Sequence, residues 1–174
     1  FDSVIEYSSP ASLTYQNKNY ALDRVEGAGT KISADASQNI VRVHYSLDEK
    51  TTDPKDPEKP DEVPDKYQRK VSYEAINGTV DIAYTYVTLF KDGKWDENGT
   101  GYLSDAQIAT ATASQGYVAG NPLWAPEQPA TDIAITSDAH FVATFVKGTF
   151  DYTVEYVFDG TVDDGRTVNK SGEF

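Results

Sequence analysis

The chain has 174 residues, a formal net charge of −13 at pH 7 and a sequence pI near 4.4, and its length suffices for one ordinary domain or two small ones. A surface this acidic repels phosphate backbones, which argues against nucleic acid as a partner. The sequence has no Cys, which excludes a disulfide framework, a thiolate metal site and a cysteine nucleophile. No apolar run approaches the length of a membrane span, so no membrane insertion is expected.

The first 48 residues contain two strand signals. A short hairpin is predicted over Leu13–Leu22, and apolar residues at every second position predict a strand over Ile40–Leu47. These elements are too few to enclose a core of their own. Residues 1–48 are therefore interpreted as part of a module that other residues complete.

A segment rich in Pro and acidic residues follows, Glu49–Lys66. It holds four of the eight Pro of the chain and almost no apolar side chain. Such a composition cannot bury enough surface to fold, and regularly spaced Pro favours extended polyproline II backbone. Residues 49–66 are predicted to form an extended acidic linker between two modules.

The central segment, residues 67–149, has the element order strand, strand, helix, strand, strand. Alternation predicts a strand over Arg69–Ile76, and Asn77-Gly78 after it is a strong signal for a two-residue hairpin turn. A short helix is predicted over Ser104–Ala113, with Ser104 as its N-cap and Gly116 beyond its end. This order is that of a β-grasp-like unit. Its predicted core consists of Val71, Tyr73, Ile108, Tyr117, Trp124, Phe141 and Phe145.

The last segment, residues 150–174, begins with an alternating strand that places Tyr152, Val154, Tyr156 and Phe158 on one face. Its final part has no partner strand within the segment. We therefore expect residues 150–174 to be completed by residues 1–48 of the same chain, of a neighbouring chain or of the next repeat. The two ends of the chain are then an arbitrary cut in a repeating sequence.

Two parts of the chain resemble repeats of Gram-positive surface proteins. Joined end to end, 150–174 and 1–48 run from DYTVEYVFDG to NIVRVHYSLDE and resemble MucBP-type repeats, which open with YTVxY and close with VxVxY. The central part, with Gly116-Tyr117, Trp124 and ITSD before FVATF, is similar to the InlB B-repeat, or Listeria–Bacteroides repeat. The resemblance implies β-grasp-like modules, often in tandem, in secreted or wall-attached proteins. The expected fold is mainly β with one short helix (α+β), as tandem small β-grasp-like modules joined by the extended linker.

The search for a metal or catalytic site yields one weak calcium candidate. Asp159, Asp163 and Asp164 cluster on turns, but the spaced ligands and closing Glu of an EF-hand loop are missing. A solvated acidic hairpin is the preferred interpretation, so no metal and no cofactor is predicted. By alternation His44 and His140 both face away from the core, in no setting that suggests zinc or a catalytic triad.

Trp95 is the remaining candidate for a binding residue. It lies in a polar loop, KDGKWDENGTG, where its ring could stack on a sugar, although burial over the predicted helix is the preferred alternative. A specific ligand is not identified by any of these residues.

Taken together, these features predict a non-enzymatic repeat of a secreted or wall-anchored surface protein, acting as a stalk, spacer or fibre-forming unit. Its expected partners are neighbouring repeats or chains of the same protein. One alternative is an adhesive module that binds mucin, another glycan or a host surface protein. A second alternative is an accessory domain of a larger extracellular enzyme. The expected location is the extracellular space or the cell wall.

Overall fold

The computed structural model describes residues 3–52 and 60–173, and in these ranges the protein is mainly β. Helical backbone in the described ranges consists of three single 3-10 turns: Ala36–Gln38, Asp65–Tyr67 and Asp105–Gln107. Within the same ranges, no helix has the length and apolar content needed to cross a membrane. The prediction of a β-rich fold is confirmed.

The amino-terminal strands form a three-stranded antiparallel sheet. Its strands, in the order β1–β2–β3, are β1 (Ser12–Tyr15), β2 (Lys18–Glu26) and β3 (Arg42–Leu47). Gln16 and Asn17 connect the first two strands with φ values of 50° and 62°, the backbone of a two-residue turn that matches strand twist. The hairpin predicted over Leu13–Leu22 and the strand predicted over Ile40–Leu47 are both present.

The described ends of the Pro-rich segment meet each other. The backbone amides of Glu49 and Lys50 each donate to Asp65 Oδ1 at 3.0 Å, and the amide of Glu62 donates to Asp48 Oδ2 at 3.0 Å. These hydrogen bonds join the two described ends of the segment, and the extended linker expected from composition stays a prediction. Residues 53–59, on which much of that expectation falls, lie outside the described residues.

The central strands form one sheet of four strands and two short ribbons. The strands in chain order are β4 (Gln68–Ile76), β5 (Gly78–Val80), β6 (Tyr84–Thr88), β7 (Phe90–Lys91), β8 (Lys94–Trp95), β9 (Ala111–Ala113), β10 (Tyr117–Ala125) and β11 (Ala139–Lys147). The four-stranded sheet has the order β10–β11–β4–β6, while β5 pairs with β9 and β7 pairs with β8.

The two-residue hairpin predicted at Asn77-Gly78 is wrong. Asn77 does adopt the left-handed conformation, with φ 58°, but β5 begins at Gly78 and pairs with β9 instead of returning along β4. The Asn77 side chain donates to the carbonyl of Phe145 at 3.0 Å. The turn at Asn77 therefore directs the chain to a different partner strand.

The helix predicted over Ser104–Ala113 is also wrong, because only a 3-10 turn forms at its start and β9 occupies its end. Thr110 and Thr112 are β-branched and suit a strand. The amide of Thr110 donates to Asp81 Oδ1 at 2.7 Å, and Ala111–Ala113 pairs with Gly78–Val80. Strand pairing supplied by a distant segment outweighs the modest helix propensity of a few Ala residues.

The chain divides into two compact units, each assembled from three stretches. The first contains 1–71, 84–105 and 131–139, and the second contains 72–83, 106–130 and 140–174. The division into two units cuts across the predicted 67–149 module, because β4 and β11 each contribute residues to both units. The predicted module boundaries remain a prediction.

Each unit has its own set of buried apolar side chains. In the first unit they are Ala21, Val71, Val87, Leu89, Leu103 and Ile135; in the second they are Tyr73, Ala109, Trp124, Phe141, Ala143 and Phe145. Five of the seven predicted core residues are thus buried, while Ile108 and Tyr117 are partly exposed. The alternation inferred for β4 and β11 is correct, because a slip of one residue would have turned these side chains to solvent.

The carboxyl-terminal strands form two ribbons. They are β12 (Thr149–Val154), β13 (Val157–Phe158), β14 (Thr161–Val162) and β15 (Val168–Glu173), with β12 paired to β15 and β13 paired to β14. The turn predicted at Asp159-Gly160 connects β13 to β14 with φ values of 46° and 83°. The partner of β12 is β15 and that of β3 is β2, so pairing of β12 with β3 in one chain is not observed among the described strands. Completion by a neighbouring chain or repeat remains a prediction.

The face of 150–158 that was predicted to be inward is open in the single chain, and its cover by a neighbouring chain or repeat stays a prediction. Tyr152, Tyr156 and Phe158 are between 47% and 54% exposed. A two-stranded ribbon has only one neighbour for each strand, so it can cover only part of an apolar face without a second layer.

Candidate functional site

An open groove of about 460 Å³ in the first unit brings aromatic rings and charged groups together. Its lining residues come from β2, from the 3-10 turn before β4 and from the β7–β8 ribbon: Asp23, Arg24, Tyr67, Phe90, Gly93, Lys94 and Trp95. The β7–β8 ribbon is closed by Asp92 and Gly93, with φ values of 51° and 74°. This tight turn places Trp95 directly across from Phe90.

Asp23 forms the buried floor of the groove. It lies at a β-bulge, because Leu22 pairs with Tyr45 and Arg24 with His44, which leaves Asp23 as an extra residue in β2. Bulges redirect side chains out of the regular alternation. The Asp23 carboxylate, only 5% exposed, accepts hydrogen bonds from Tyr67 Oη at 2.6 Å and Lys66 Nζ at 2.9 Å.

The electrostatics of this floor keep Asp23 ionised. Burial acts to raise the pKa of Asp23, but the hydrogen bonds from Tyr67 and Lys66 and the charges of Lys66 and Arg24 outweigh it. The pKa of Asp23 therefore lies below its ordinary value. The pKa of the Tyr67 phenol is raised, first by burial and then by its hydrogen bond to the Asp23 carboxylate. Tyr67 is thus held as a neutral donor with its ring in a fixed orientation.

Tyr67 and Trp95 together make an aromatic platform. Their ring centroids are 5.9 Å apart at an interplanar angle of 34°, and Lys66 Nζ lies 4.7 Å from the Tyr67 ring centroid. Trp95 is half-buried, so one part of its ring packs on Tyr67 and another part lines the groove. The predicted burial of Trp95 over a helix is wrong, because the segment 104–113 forms no α-helix.

The groups that line this groove are suited to binding a ligand. Aromatic rings offer apolar faces with a negative quadrupole, and the exposed Arg24 and Lys94 side chains offer donors to hydroxyl or carboxylate groups. The oxygens of Asp23 are already occupied by Tyr67, Lys66 and Arg24, which gives this carboxylate a positioning role.

Trp95 was identified from the sequence, whereas Asp23 and Tyr67 were not. These two lie 44 residues apart, and no local pattern marks either one. One local signal did exist for Trp95: Asp92-Gly93 between Phe90 and Trp95 is a hairpin signal within the polar loop. It indicates a strand at Trp95, and the sequence analysis did not use it.

The acidic hairpin proposed as a weak calcium candidate is organised by turn contacts. Asp163 Oδ1 accepts from the amide of Gly165 at 3.0 Å, and Asp163 Oδ2 lies 3.2 Å from Arg166 Nε. Asp159 occupies the β13–β14 turn and Asp164 the following one. In the part of the chain that the structure describes, no three His, Asp or Glu side chains form a group that could hold a metal ion.

Both His residues have an acidic neighbour that the sequence analysis did not anticipate. His44 Nε2 lies 3.3 Å from Glu26 Oε1. His140 Nδ1 lies 2.9 Å from Ser72 Oγ, and its Nε2 lies 3.4 Å from Glu74 Oε2. Ser72, His140 and Glu74 are residue types that also occur in catalytic triads, but the side chains of His140 and Glu74 are 53% and 62% exposed. Water around these groups weakens the electrostatic stabilisation that catalysis requires. We therefore do not assign Ser72 as a nucleophile.

Comparison of the chain with protein-family models, with curated proteins and with solved structures gives no match.

Proposed function

We propose that the chain is a non-catalytic repeat of a secreted or wall-anchored bacterial surface protein, acting as a stalk or fibre-forming structural unit. The observation that supports this proposal is the two-faced ribbon formed by β12 and β15. The high negative charge fits the same role, because it keeps an extended array soluble.

One face of the ribbon is polar, and two hydrogen bonds between the strands join its side chains. Thr153 Oγ1 donates to Asn169 Oδ1 at 2.9 Å, and Ser171 Oγ donates to Asp151 Oδ1. These residues stand opposite each other in the register, so their side chains share one face.

The opposite face is apolar and open. Val154 stands opposite Val168, and Tyr152 stands opposite Lys170 with its ring over Gly172. Tyr152 is 50% exposed and Val168 41% exposed. Among the described strands each ribbon strand has one neighbour, which leaves one edge of each without a strand partner. A small ribbon of this kind is marginal alone, which favours cover by a further layer.

The occupant that we propose is the amino-terminal sheet of a neighbouring copy. In the described part of that sheet β3 is the last strand, and its outer edge has no strand partner. Addition of a strand from another chain to such an edge is a known mode of assembly. Repetition of the contact between successive copies produces a fibre when the rotation does not close.

A head-to-tail chain of two copies tests this proposal. We expect amide hydrogen exchange at Tyr152 and Val154 of the first copy to slow at least tenfold relative to the single chain, because burial suppresses local opening. Tyr152→Ser should reverse the effect, whereas Tyr102→Ser, at a tyrosine that is also exposed, should not. Equal exchange in the single and double chains would contradict the proposal.

The second candidate function is adhesion, and the aromatic groove favours it. A sugar ring can stack on the Tyr67–Trp95 platform while Arg24 and Lys94 donate to its hydroxyl or carboxylate groups. The ionised Asp23 beneath Tyr67 holds the platform in place, so the groove needs little reorganisation on binding.

For this candidate, the expected result is binding of the chain to glycans on a mucin-glycan array. Trp95→Ala should weaken binding at least tenfold, equivalent to ~1.4 kcal/mol, because it removes half of the platform. Tyr102→Ala provides the matched control at an exposed aromatic residue outside the groove lining. Retention of full binding by Trp95→Ala, or no binding by the unmodified chain, would reject adhesion through this groove.

A further inference from the structure

The base of the Pro-rich loop contains two carboxyl groups close together. Asp48 follows β3 directly and its side chain is completely buried. Asp61 is brought beside Asp48, because the amide of the next residue, Glu62, donates to Asp48 Oδ2 at 3.0 Å. Two carboxylates that lie close together repel each other, so the arrangement favours a positive charge or a proton between them.

Among the residues that the structure describes, no cationic side chain neutralises this pair. Neither Asp48 nor Asp61 forms an ion pair with a Lys, Arg or His side chain within residues 3–52 and 60–173. The nearby Lys50 side chain is directed to the backbone carbonyl of Asp65 at 3.5 Å. Asp65 itself is occupied by the amides of Glu49 and Lys50.

A separate observation at Gln68 also indicates a ligand. Gln68 is 1% exposed, and its Nε2 donates to Asp61 Oδ2. Its Oε1 is buried and has no hydrogen-bond partner, and the same is true of Asp48 Oδ1. Buried polar atoms without partners are rare, and each such atom costs ~1–3 kcal/mol. Two such oxygens beside a pair of carboxylates would be satisfied by a bound electron-pair acceptor.

We propose that Asp48, Asp61 and Gln68 form a binding site for one calcium ion. Ca²⁺ takes six to eight oxygen ligands from carboxylates, amide carbonyls and water. Two carboxylates neutralise its charge, and the Gln68 carbonyl adds a third protein ligand. Of the three proposed ligands, Asp48 also lines an open groove of about 320 Å³, together with Asn19 and Glu62.

The calcium ion would connect the end of β3 to the start of β4. This inference is independent of the proposed function. It also revises the expectation that the chain binds no metal.

Calcium binding is tested by calorimetric titration of the EDTA-treated, dialysed chain with CaCl₂ at pH 7.5. We expect one ion per chain, with a Kd of roughly 0.1–1 mM as in extracellular modules. Saturation should raise the Tm by about 5 °C or more, since about 100-fold excess over Kd stabilises a protein of this size by that order.

Three variants separate the outcomes. Asp61→Asn is nearly isosteric and should weaken calcium binding at least tenfold while leaving the chain folded. Gln68→Glu should tighten binding at least threefold, because it adds a charged ligand; a residue that only donates to Asp61 would lose its contact instead. Asp164→Asn removes the same charge from the acidic hairpin and should change nothing. No saturable binding, meaning that the pair shares a proton, or equal binding by all variants, meaning that surface acids alone bind calcium, would overturn the proposal.

Discussion

Phe141→Ala is expected to lower the free energy of unfolding by ~3–5 kcal/mol, the usual cost of truncating a buried aromatic residue. Phe141 is 2% exposed and stacks on Tyr73 with ring centroids 5.8 Å apart at 21°. Tyr73 in turn meets Trp124 edge-on at 6.1 Å and donates its hydroxyl to the carbonyl of Gln107 at 2.8 Å. The truncation leaves a cavity beside Tyr73, because the two remaining rigid rings, Tyr73 and Trp124, cannot collapse into it.

Urea unfolding followed by tryptophan fluorescence measures this loss. Phe158→Ala is the matched control, since Phe158 is 54% exposed and its ring contact is with Arg166 at 5.6 Å. Phe158→Ala should lower the free energy of unfolding by less than ~1 kcal/mol, because a solvent-exposed cation–π contact contributes little to stability. Comparable losses in the two variants would show that the core is not centred on Phe141.

Gly27→Ala is expected to destabilise the chain by ~2–4 kcal/mol. Gly27 follows β2 with φ +83°, and a Cβ atom there would lie 2.2 Å from the carbonyl oxygen of Ile40. Part of the loss comes from forcing an L-residue into the left-handed region, which costs ~1–2 kcal/mol. The rest comes from displacing the backbone that enters β3.

Gly29→Ala separates these two contributions. Gly29 has a similar φ of +75°, but a Cβ atom there would meet nothing within 4 Å. Gly29→Ala should therefore lower the free energy of unfolding only by the conformational cost of the left-handed backbone, ~1–2 kcal/mol. If both variants unfold at the same urea concentration, the close approach of Gly27 to Ile40 does not constrain the fold.

The candidate sites differ in how far local sequence could predict them. Trp95 was recognisable because a bulky aromatic residue in a polar loop is unusual. Its role in a groove depends on Asp23, which a β-bulge turns toward Tyr67 from 44 residues away. Asp48 and Asp61 are ordinary acidic residues in a chain with 28 Asp and Glu. Only a tertiary contact, the hydrogen bond from the amide of Glu62 to Asp48 Oδ2, brings them near each other.

Local sequence patterns were enough to predict the β-rich class, the Leu13–Leu22 hairpin and the inward faces of β4 and β11. Alternation with period two is a local property, and it is kept wherever one face of a strand is buried. Tertiary structure alone decided that Gly78–Val80 pairs with Ala111–Ala113. This pairing of β5 with β9 excludes both the hairpin predicted at Asn77-Gly78 and the helix predicted over Ser104–Ala113. The physical reason is that each local preference is worth a few tenths of a kcal/mol to ~1 kcal/mol per residue. A strand partner from elsewhere in the chain adds several hydrogen bonds and buried contacts at once, so the distant partner prevails.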